Sequence, residues 1–350
     1  MNSPNTRQSN DDYNELSEIT RSEALDVIDE AWEESTTKLH LHHVHLDRFA
    51  MHSILEKFDR DSSRIGERQR RKIEKLELNR CSFRDKESLR ILVILMHMIG
   101  RDLREMVYVD SKSGRFHFHG TTESILFGLN QVPLLRRLSL EKVDFRGKQI
   151  GLQLQILLKQ CFTLQYLRLY GCSIDSDAFG PFLIGLRGCA GLVRLDLNGW
   201  NLDDSQCDFL VAALMHSASK RTLKLLELSR SSIGLDSLRS LARLLDEAES
   251  LKVLALSSCQ NLLVGAKPDS PAYLDFAAAI RSSSTLRELE MEHILFSEQL
   301  ATPLLRAIKA NTFLRKVNIE VAAGGQEQDN NAITLSFCET GYLALEEACI

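Results

Sequence analysis

Apolar side chains return along the chain in one order, Leu-x-x-Leu-x-Leu-x-x-(Cys or small apolar)-x-apolar. The clearest copy covers residues 164–174, and a second follows 28 residues later at 192–202. The Leu-x-Leu core alternates with the period of a strand, whereas the stretch behind it changes to helical spacing. Each copy therefore predicts one short strand followed by one helix. Helical stripes of this kind comprise Leu235, Leu238, Leu241 and Leu244, and Leu300, Leu304, Leu305 and Ile308.

Ten copies of this pattern follow one another at spacings of 28 to 37 residues. One strand and one helix cannot bury their apolar faces alone, but stacked copies can. The pattern thus predicts a stack of about ten repeats over residues 36–320. The residue at the second leucine position of each copy is Leu39, Leu76, Met106, Leu138, Leu167, Leu195, Leu226, Leu254, Leu289 and Val317.

Two features give the chain a family resemblance. They are the repeat lengths and the cysteine at the ninth motif position of three repeats, namely Cys81, Cys172 and Cys259. It resembles leucine-rich-repeat proteins of the ribonuclease-inhibitor type. The resemblance implies an α/β leucine-rich-repeat solenoid, a right-handed horseshoe with parallel strands on the concave face and helices on the convex face. It says little about function.

Both ends of such a stack need a cover. Residues 20–35 have capping-box spacing at Thr20 to Glu23 and an apolar helical face, which predicts an N-terminal capping helix. Residues 1–19 are polar and acidic and predict a disordered tail. Residues 321–350 predict a C-terminal loop and cap, with a short closing helix at 342–350.

The pattern loosens in three places. We interpret the basic stretch Phe58–Lys72 as a solvated loop, with a nuclear-import signal as the alternative reading of its 64–72 run. Residues 109–120 predict a bulge. The stretch Leu262–Tyr273 adds about seven residues and contains two prolines. Insertions of this kind either contact ligands or occur where sequence variation is tolerated.

Composition limits the partner and the compartment. The net charge of -5 comes from residues 1–35, which carry ten acids and two bases and leave the rest about +3. A nearly neutral body argues against nucleic acid as the main partner. No stretch has the ~20 apolar residues of a membrane span or the apolar core of a secretory signal, so we expect a cytoplasmic protein whose eight cysteines are thiols.

Candidate chemistry is sparse. The segment from Lys38 to Leu46 clusters four histidines, and Glu77 and Asn79 on the neighbouring strand leave a metal-ligand set incomplete, so we interpret the histidines as solvated. Nucleophile motifs and phosphate loops are absent. The sequence therefore predicts no enzyme, no cofactor, no metal and no small-molecule substrate.

These observations favour a noncatalytic intracellular scaffold or sensor that binds a protein on the concave face. The alternative is a regulatory subunit that steers an enzyme, such as a ubiquitin-ligase substrate adaptor or a Ran-type GTPase activator. Such an activator uses a loop arginine; Arg80 and Arg230 follow strands, but neither lies in a matching motif, so no catalytic residue is carried over. We expect no F-box in residues 1–38, because they show no Leu-Pro start and are too short for one. Because tyrosine and arginine dominate protein interfaces, we expect the binding site at two neighbouring strands. Its residues are Tyr166, Arg168, Tyr170, Arg194, Asp196, Asn198 and Glu227.

Overall fold

The computed structural model describes residues 23–35, 37–65, 72–110, 120–322 and 332–337. The chain divides after Val143 into two compact units. Unit 1 contains a four-stranded parallel sheet in the order β1-β3-β5-β6, and the short strands β2 and β4 pair beside it. Its elements are α1 (residues 23–34), β1 (Lys38–His42), β2 (His45–Leu46), α2 (Arg48–Ile65), β3 (Lys75–Asn79), β4 (Ser82–Phe83), α3 (Lys86–Ile99), β5 (Glu105–Val109), α4 (Thr121–Leu129) and β6 (Arg137–Glu141).

Unit 2 repeats the same plan. Its sheet runs β8-β10-β11-β12-β13-β14 with parallel pairing, and β15 closes it by pairing antiparallel to β14. The elements are β7 (Asp144–Phe145), α5 (Lys148–Gln160), β8 (Tyr166–Tyr170), β9 (Ser173–Ile174), α6 (Ser176–Arg187), β10 (Arg194–Asp196), α7 (Asp204–Met215), β11 (Leu225–Glu227), α8 (Ser237–Glu247), β12 (Val253–Ala255), α9 (Pro271–Ser282), β13 (Glu288–Phe296), α10 (Glu298–Ala310), β14 (Lys316–Ala322) and β15 (Ala332–Phe337).

The strand register within each unit follows the second leucine position of the motif. In unit 1, Leu39, Leu76, Met106 and Leu138 are successive Cα partners. In unit 2 the same holds from Leu167 through Leu195, Leu226, Leu254 and Leu289 to Val317. The α/β leucine-rich-repeat fold class is therefore confirmed.

Burial alternates along the strands, because successive side chains point to opposite faces of a sheet. Strand β8 shows the pattern, with Leu167 and Leu169 buried between half-exposed neighbours. The six leucines predicted to be core, Leu167, Leu169, Leu195, Leu197, Leu226 and Leu228, are all fully buried. The opposite side carries the residues before, between and after the two leucines, and we call it the strand face.

A left-handed residue ends the strand segment of most repeats and keeps the turn uniform. It is Arg80 in the second repeat and Gly171 in the fifth, with φ angles of 54° and 61°. The amide of this residue still donates to the neighbouring repeat, as in Gly171 N to Asn198 O at 2.7 Å. The hydrogen-bonded ladder thus continues through the turn.

Carboxylate caps start several of the helices. The side chain of Asp85 accepts from the Ser88 amide, and that of Asp175 accepts from the Ala178 amide. Asp203 and Gln206 form a capping box at the start of α7. Each cap satisfies a helix amide that has no partner inside the helix, so each fixes where its helix begins.

Two sequence interpretations need correction. Helix α2 continues to Ile65, so the first half of the proposed Phe58–Lys72 loop is helical, and the Phe58 ring packs edge-on against Trp32 at 4.7 Å between centroids. The 262–273 insertion ends earlier than expected, because α9 begins at Pro271 and Tyr273 is buried in it. In both stretches an aromatic side chain fills the core.

The ends of the chain show one expected and one unexpected element. Helix α1 buries Ile28 and Trp32, which the sequence places on one apolar face. Strand β15 falls where the sequence predicted loop and cap. The disordered tail, the capping box at Thr20, the 109–120 bulge beyond Asp110 and the closing helix at 342–350 lie outside the described residues. Among the described helices, none is long and apolar enough to cross a membrane.

Candidate functional site

The strand face of unit 2 brings several of the predicted site residues into register. Arg194 on β10 is the Cα partner of Tyr166 on β8. One step along the strands, Asp196 is the partner of both Arg168 and Glu227. Parallel strands lie about 4.8 Å apart. The three charged side chains therefore form one row across β8, β10 and β11.

Asp196 is the electrostatic centre of this row. Its side chain is only 5% exposed, and its Oδ2 lies 3.1 Å from Arg194 Nη2 and 3.5 Å from Arg168 Nε. Its Oδ1 accepts the amide of Asn198 at 3.2 Å. An exposed ion pair of this kind would contribute little to stability. Because Asp196 is buried, removal of its cations would leave a desolvated charge.

Tyr170 connects Arg168 to a residue outside the predicted set. The Arg168 guanidinium lies over the Tyr170 ring, 4.9 Å from its centroid. The Tyr170 hydroxyl accepts a hydrogen bond from Arg230 Nη1 at 3.2 Å. Arg230 holds the left-handed turn position after β11, which brings it back beside Tyr170. An arginine, a tyrosine and a second arginine thus make a continuous polar and aromatic rim.

Asn198 takes part mainly through its backbone. Its amide donates to Asp196, and its carbonyl accepts the Gly171 amide at 2.7 Å. Its side-chain Oδ1 is buried and lacks a hydrogen-bond partner among the described residues. Asn198 therefore supports the turn next to the row and presents less side chain to a partner than the sequence suggests.

Glu227 is a half-buried acid of this face. Its Oε1 accepts the Ser229 amide at 2.9 Å, yet within the described part of the chain no lysine or arginine pairs with it. Burial raises the pKa of the Glu227 carboxyl, and the hydrogen bonds from Ser229 only partly oppose this. The negative charges of Asp196 and Glu290 raise it further.

Short side chains surround Glu227 on its far side. Its Cα partner on β12 is Ala255, and Ser229 and Ser257 stand one step further along the strands. Beyond them, Glu290 on β13 pairs with Lys316 Nζ at 2.7 Å. Glu227 therefore lies among short side chains, between the rim at Tyr170 and the Glu290–Lys316 pair. We call this part of the strand face the floor.

Sequence reasoning missed three features here. It did not predict Arg230 as a partner of Tyr170, the burial of Asp196, or that no described lysine or arginine pairs with Glu227. The left-handed position could have pointed to Arg230, since most repeats turn there. Burial of individual carboxylates depends on neighbouring side-chain lengths, which the motif does not encode.

Side chains that can bind a metal ion come together elsewhere, in unit 1. Within the described ranges, one group of three such side chains comes together, formed by His40, His42 and Glu77. None of the seven predicted site residues belongs to it. Arg80, the other loop arginine considered for GTPase activation, is exposed at a left-handed turn of the same unit.

The chain is similar to solved structures at low sequence identity. No protein-family model matches the chain, and no curated protein matches it. One similar solved structure is a TLR13–ssRNA13 complex, at 14% identity and a TM-score of 0.35, over 69% of this chain and 35% of that chain. Another is an internalin (inlF) from Listeria monocytogenes str. 4b F2365, at 14% identity and a TM-score of 0.33, over 70% of this chain and 73% of that one. The chain thus spans about a third of the TLR13 chain that it matches, and the fold assignment rests on its own repeats and strand register.

Proposed function

We propose that this chain is a noncatalytic protein-binding scaffold, and that the strand face of unit 2 receives a partner segment that carries a lysine or arginine. Tyr166, Arg168, Tyr170, Arg194, Asp196, Asn198 and Glu227 form the contact surface. The observation that carries the proposal is Glu227, a half-buried carboxylate for which the described residues supply no cation.

A charge in this situation favours binding of an opposite charge. Glu227 has already lost part of its hydration, so a partner cation recovers electrostatic energy without the full cost of desolvating the carboxylate. Asp196 and Glu290 add negative potential at the same place, although each has its own cations. Lysine or arginine is therefore the side chain that complements this floor.

The rim beside the floor supplies the anchoring groups. Tyr170 and Arg168 are half exposed and stacked on each other, so little side-chain entropy remains to be lost when a partner packs on them. Aromatic and arginine side chains of this kind carry much of the binding energy in protein interfaces. The partner segment would pack on this pair and place its cation at Glu227.

A selection from random peptides displayed on phage tests the proposal directly. The full chain is immobilised, and enriched peptides are synthesised and measured by calorimetry. We expect the enriched peptides to share a lysine or arginine. Glu227→Gln should weaken their binding at least about tenfold, because it removes the charge and keeps the shape.

The matched control is Glu249→Gln, which neutralises an exposed glutamate that lies after α8. It should leave peptide affinity within about twofold. Enriched peptides without a basic residue, or equal affinity of the parent and Glu227→Gln, would contradict the proposal. Tight binding of single-stranded RNA at the same face, lost in Arg168→Ala but kept in Glu227→Gln, would replace it with nucleic-acid binding.

A second variant tests the rim. Tyr170→Ala combined with Arg168→Ala removes two half-exposed side chains, and Arg194 remains beside Asp196. We expect the double variant to fold and to bind the selected peptides at least about tenfold more weakly. Full affinity in a folded double variant would move the site to the exposed part of the 262–270 loop.

Two finer assignments accompany this function as proposals. One is the ribonuclease-inhibitor-like repeat type, supported by cysteine at the ninth motif position. The other is the cytoplasm, supported by the free thiols of Cys81, Cys189, Cys207 and Cys259, which a reducing compartment maintains. Stoichiometric co-purification of one enzyme would favour the alternative of a regulatory subunit.

A further inference from the structure

We propose that β1 and β3 of unit 1 form a binding site for a divalent transition-metal ion of the zinc class, with His40, His42 and Glu77 as its protein ligands. The strand geometry explains why these residues meet. His40 and His42 are two positions apart and so point to the same face of β1. Glu77 is the Cα partner of His40 on β3 and reaches between the two rings.

The distances suit three ligands of one ion. His42 Nε2 lies 3.6 Å from Glu77 Oε1, and His40 Nε2 lies 3.8 Å from Glu77 Oε2. All three ligand atoms lie within 4.8 Å of one another. Ligands about 2.1 Å from a tetrahedral ion are separated by about 3.4 Å, so small side-chain rotations complete the geometry.

His40 gives an independent sign that a group belongs here. Its Nε2 is buried and has no hydrogen-bond partner among the described residues, because Glu77 Oε2 at 3.8 Å is too far for a hydrogen bond. A buried polar atom without a partner costs free energy. Coordination of an ion between His40 and Glu77 would satisfy this nitrogen.

The ligand set also indicates the class of ion. Two imidazoles and one carboxylate match the three-protein-ligand pattern of zinc and related ions, in which a fourth position stays open. The side chain of His42 is about half exposed, so the open position faces solvent. An ion held in this way would join the first strand of the sheet to the second and stabilise the N-terminal end of unit 1.

Lys75 is the competing cation at this place. Its Nζ lies 3.2 Å from Glu77 Oε2 and 3.1 Å from Glu105 Oε1. An ion that binds Glu77 therefore displaces one of the two ion pairs of Lys75, which keeps the other with Glu105. Replacing Lys75 with an uncharged residue should therefore tighten binding, since two cations then no longer compete for one carboxylate.

Zinc titration of the full chain without a polyhistidine tag tests the site. A chromophoric chelator reports the free zinc, and cobalt substitution reports tetrahedral coordination through its visible absorption. We expect one ion per chain and a higher melting temperature with zinc, because a ligand that binds the native state stabilises it. His40→Gln, His42→Gln and Glu77→Gln should each weaken zinc binding at least about tenfold and abolish the zinc-dependent rise in melting temperature.

Two further variants separate this site from adventitious histidine binding. His43→Asn removes a neighbouring histidine from a left-handed position that asparagine tolerates, and it should change zinc affinity less than about twofold. Lys75→Met should tighten binding by about tenfold. The proposal is overturned if the three ligand variants bind zinc like the parent, if His43→Asn loses as much affinity as they do, or if Lys75→Met leaves affinity unchanged or weaker. The three ligands and Lys75 are on the strand face, and His43 is exposed at the turn that follows it, so metal-free melting curves should match the parent's.

Discussion

The indole Nε1 of Trp200 donates a hydrogen bond to the main-chain carbonyl of Leu169, with 2.6 Å between nitrogen and oxygen. Trp200 occupies the ninth motif position of its repeat, and Leu169 is the second strand leucine of the preceding repeat. The same link recurs with cysteine, from Cys81 Sγ to Leu41 O at 3.2 Å and from Cys259 Sγ to Leu228 O at 3.4 Å. The ninth position therefore joins successive repeats by a buried donor as well as by packing.

Trp200→Phe tests this link. The substitution keeps an aromatic ring in the core but leaves the buried Leu169 carbonyl without its donor and creates a small void. We expect the free energy of unfolding to fall by about 2 to 4 kcal/mol, from the lost hydrogen bond and the cavity together. Equilibrium unfolding in urea gives this value. Phe209→Leu, on the exposed side of α7, is the control and should stay within about 0.5 kcal/mol. A loss below about 1 kcal/mol for Trp200→Phe would show that the hydrogen bond contributes little.

Much of the fold could be predicted because the leucine-rich motif encodes it locally. The position of the second leucine predicts the strand partner of each repeat within both units, as the pairing of Leu195 with Leu226 illustrates. Cys81, Cys172 and Cys259 at the ninth motif position are buried, as expected for an apolar position of the motif. A one-residue slip would turn the strand leucines to the strand face, so the pattern fixes the register.

The rest could not be predicted because it depends on contacts between distant residues. The sequence places Phe58 in a loop, whereas in the structure its ring packs against Trp32 of another helix. Strand β15 forms by antiparallel pairing with β14, for which the leucine motif carries no signal. In the sequence, Glu77 and the histidines of β1 form an incomplete set of metal ligands. The motif predicts which residues are strand partners but not how far each side chain extends toward its neighbours.

The cysteines give a second prediction. The six described cysteines are all buried, and burial raises the pKa of the Cys81 and Cys207 thiols to about 12. Since the thiolate is the reactive form, these thiols should react with a disulfide reagent at about pH 8 only when the chain unfolds. Native titration should therefore detect at most Cys338 and Cys349, which lie outside the described residues. A Cys338→Ser, Cys349→Ser variant should show no fast phase, and a fast phase from it would contradict the burial.

The raised pKa of Glu227 gives a third prediction, on stability against pH. A group whose pKa is higher in the folded state than its ordinary value of 4.5 binds its proton more tightly when folded. Its contribution to stability is then present at low pH and is lost as pH rises through the folded pKa. Glu227→Gln cannot ionise and keeps that contribution. The variant should therefore gain stability relative to the parent between about pH 4 and about pH 7, measured by urea unfolding at both.

Glu249→Gln again serves as the control for this measurement. It removes an equally charged side chain that is exposed to solvent, so a change with pH that both variants share does not come from Glu227. A Glu227→Gln variant whose difference from the parent does not change with pH would contradict the desolvated state of Glu227. The experiment needs no partner, so it tests the desolvation of the Glu227 carboxyl independently of the proposed binding.

The two arginines at Asp196 give the last prediction, a double-mutant cycle. Asp196 Oδ2 has Arg194 at 3.1 Å and Arg168 at 3.5 Å, so either arginine alone still neutralises the buried carboxylate. Arg168→Ala and Arg194→Ala should each cost about 1 kcal/mol or less, since both side chains are partly exposed. The double variant leaves the carboxylate buried without a cation and should cost at least about 3 kcal/mol, so the two losses are not additive. Adding Asp196→Asn to the double variant removes the uncompensated charge and should recover most of that loss. Additive single losses, or no recovery with asparagine, would mean that solvent rather than the arginines compensates Asp196.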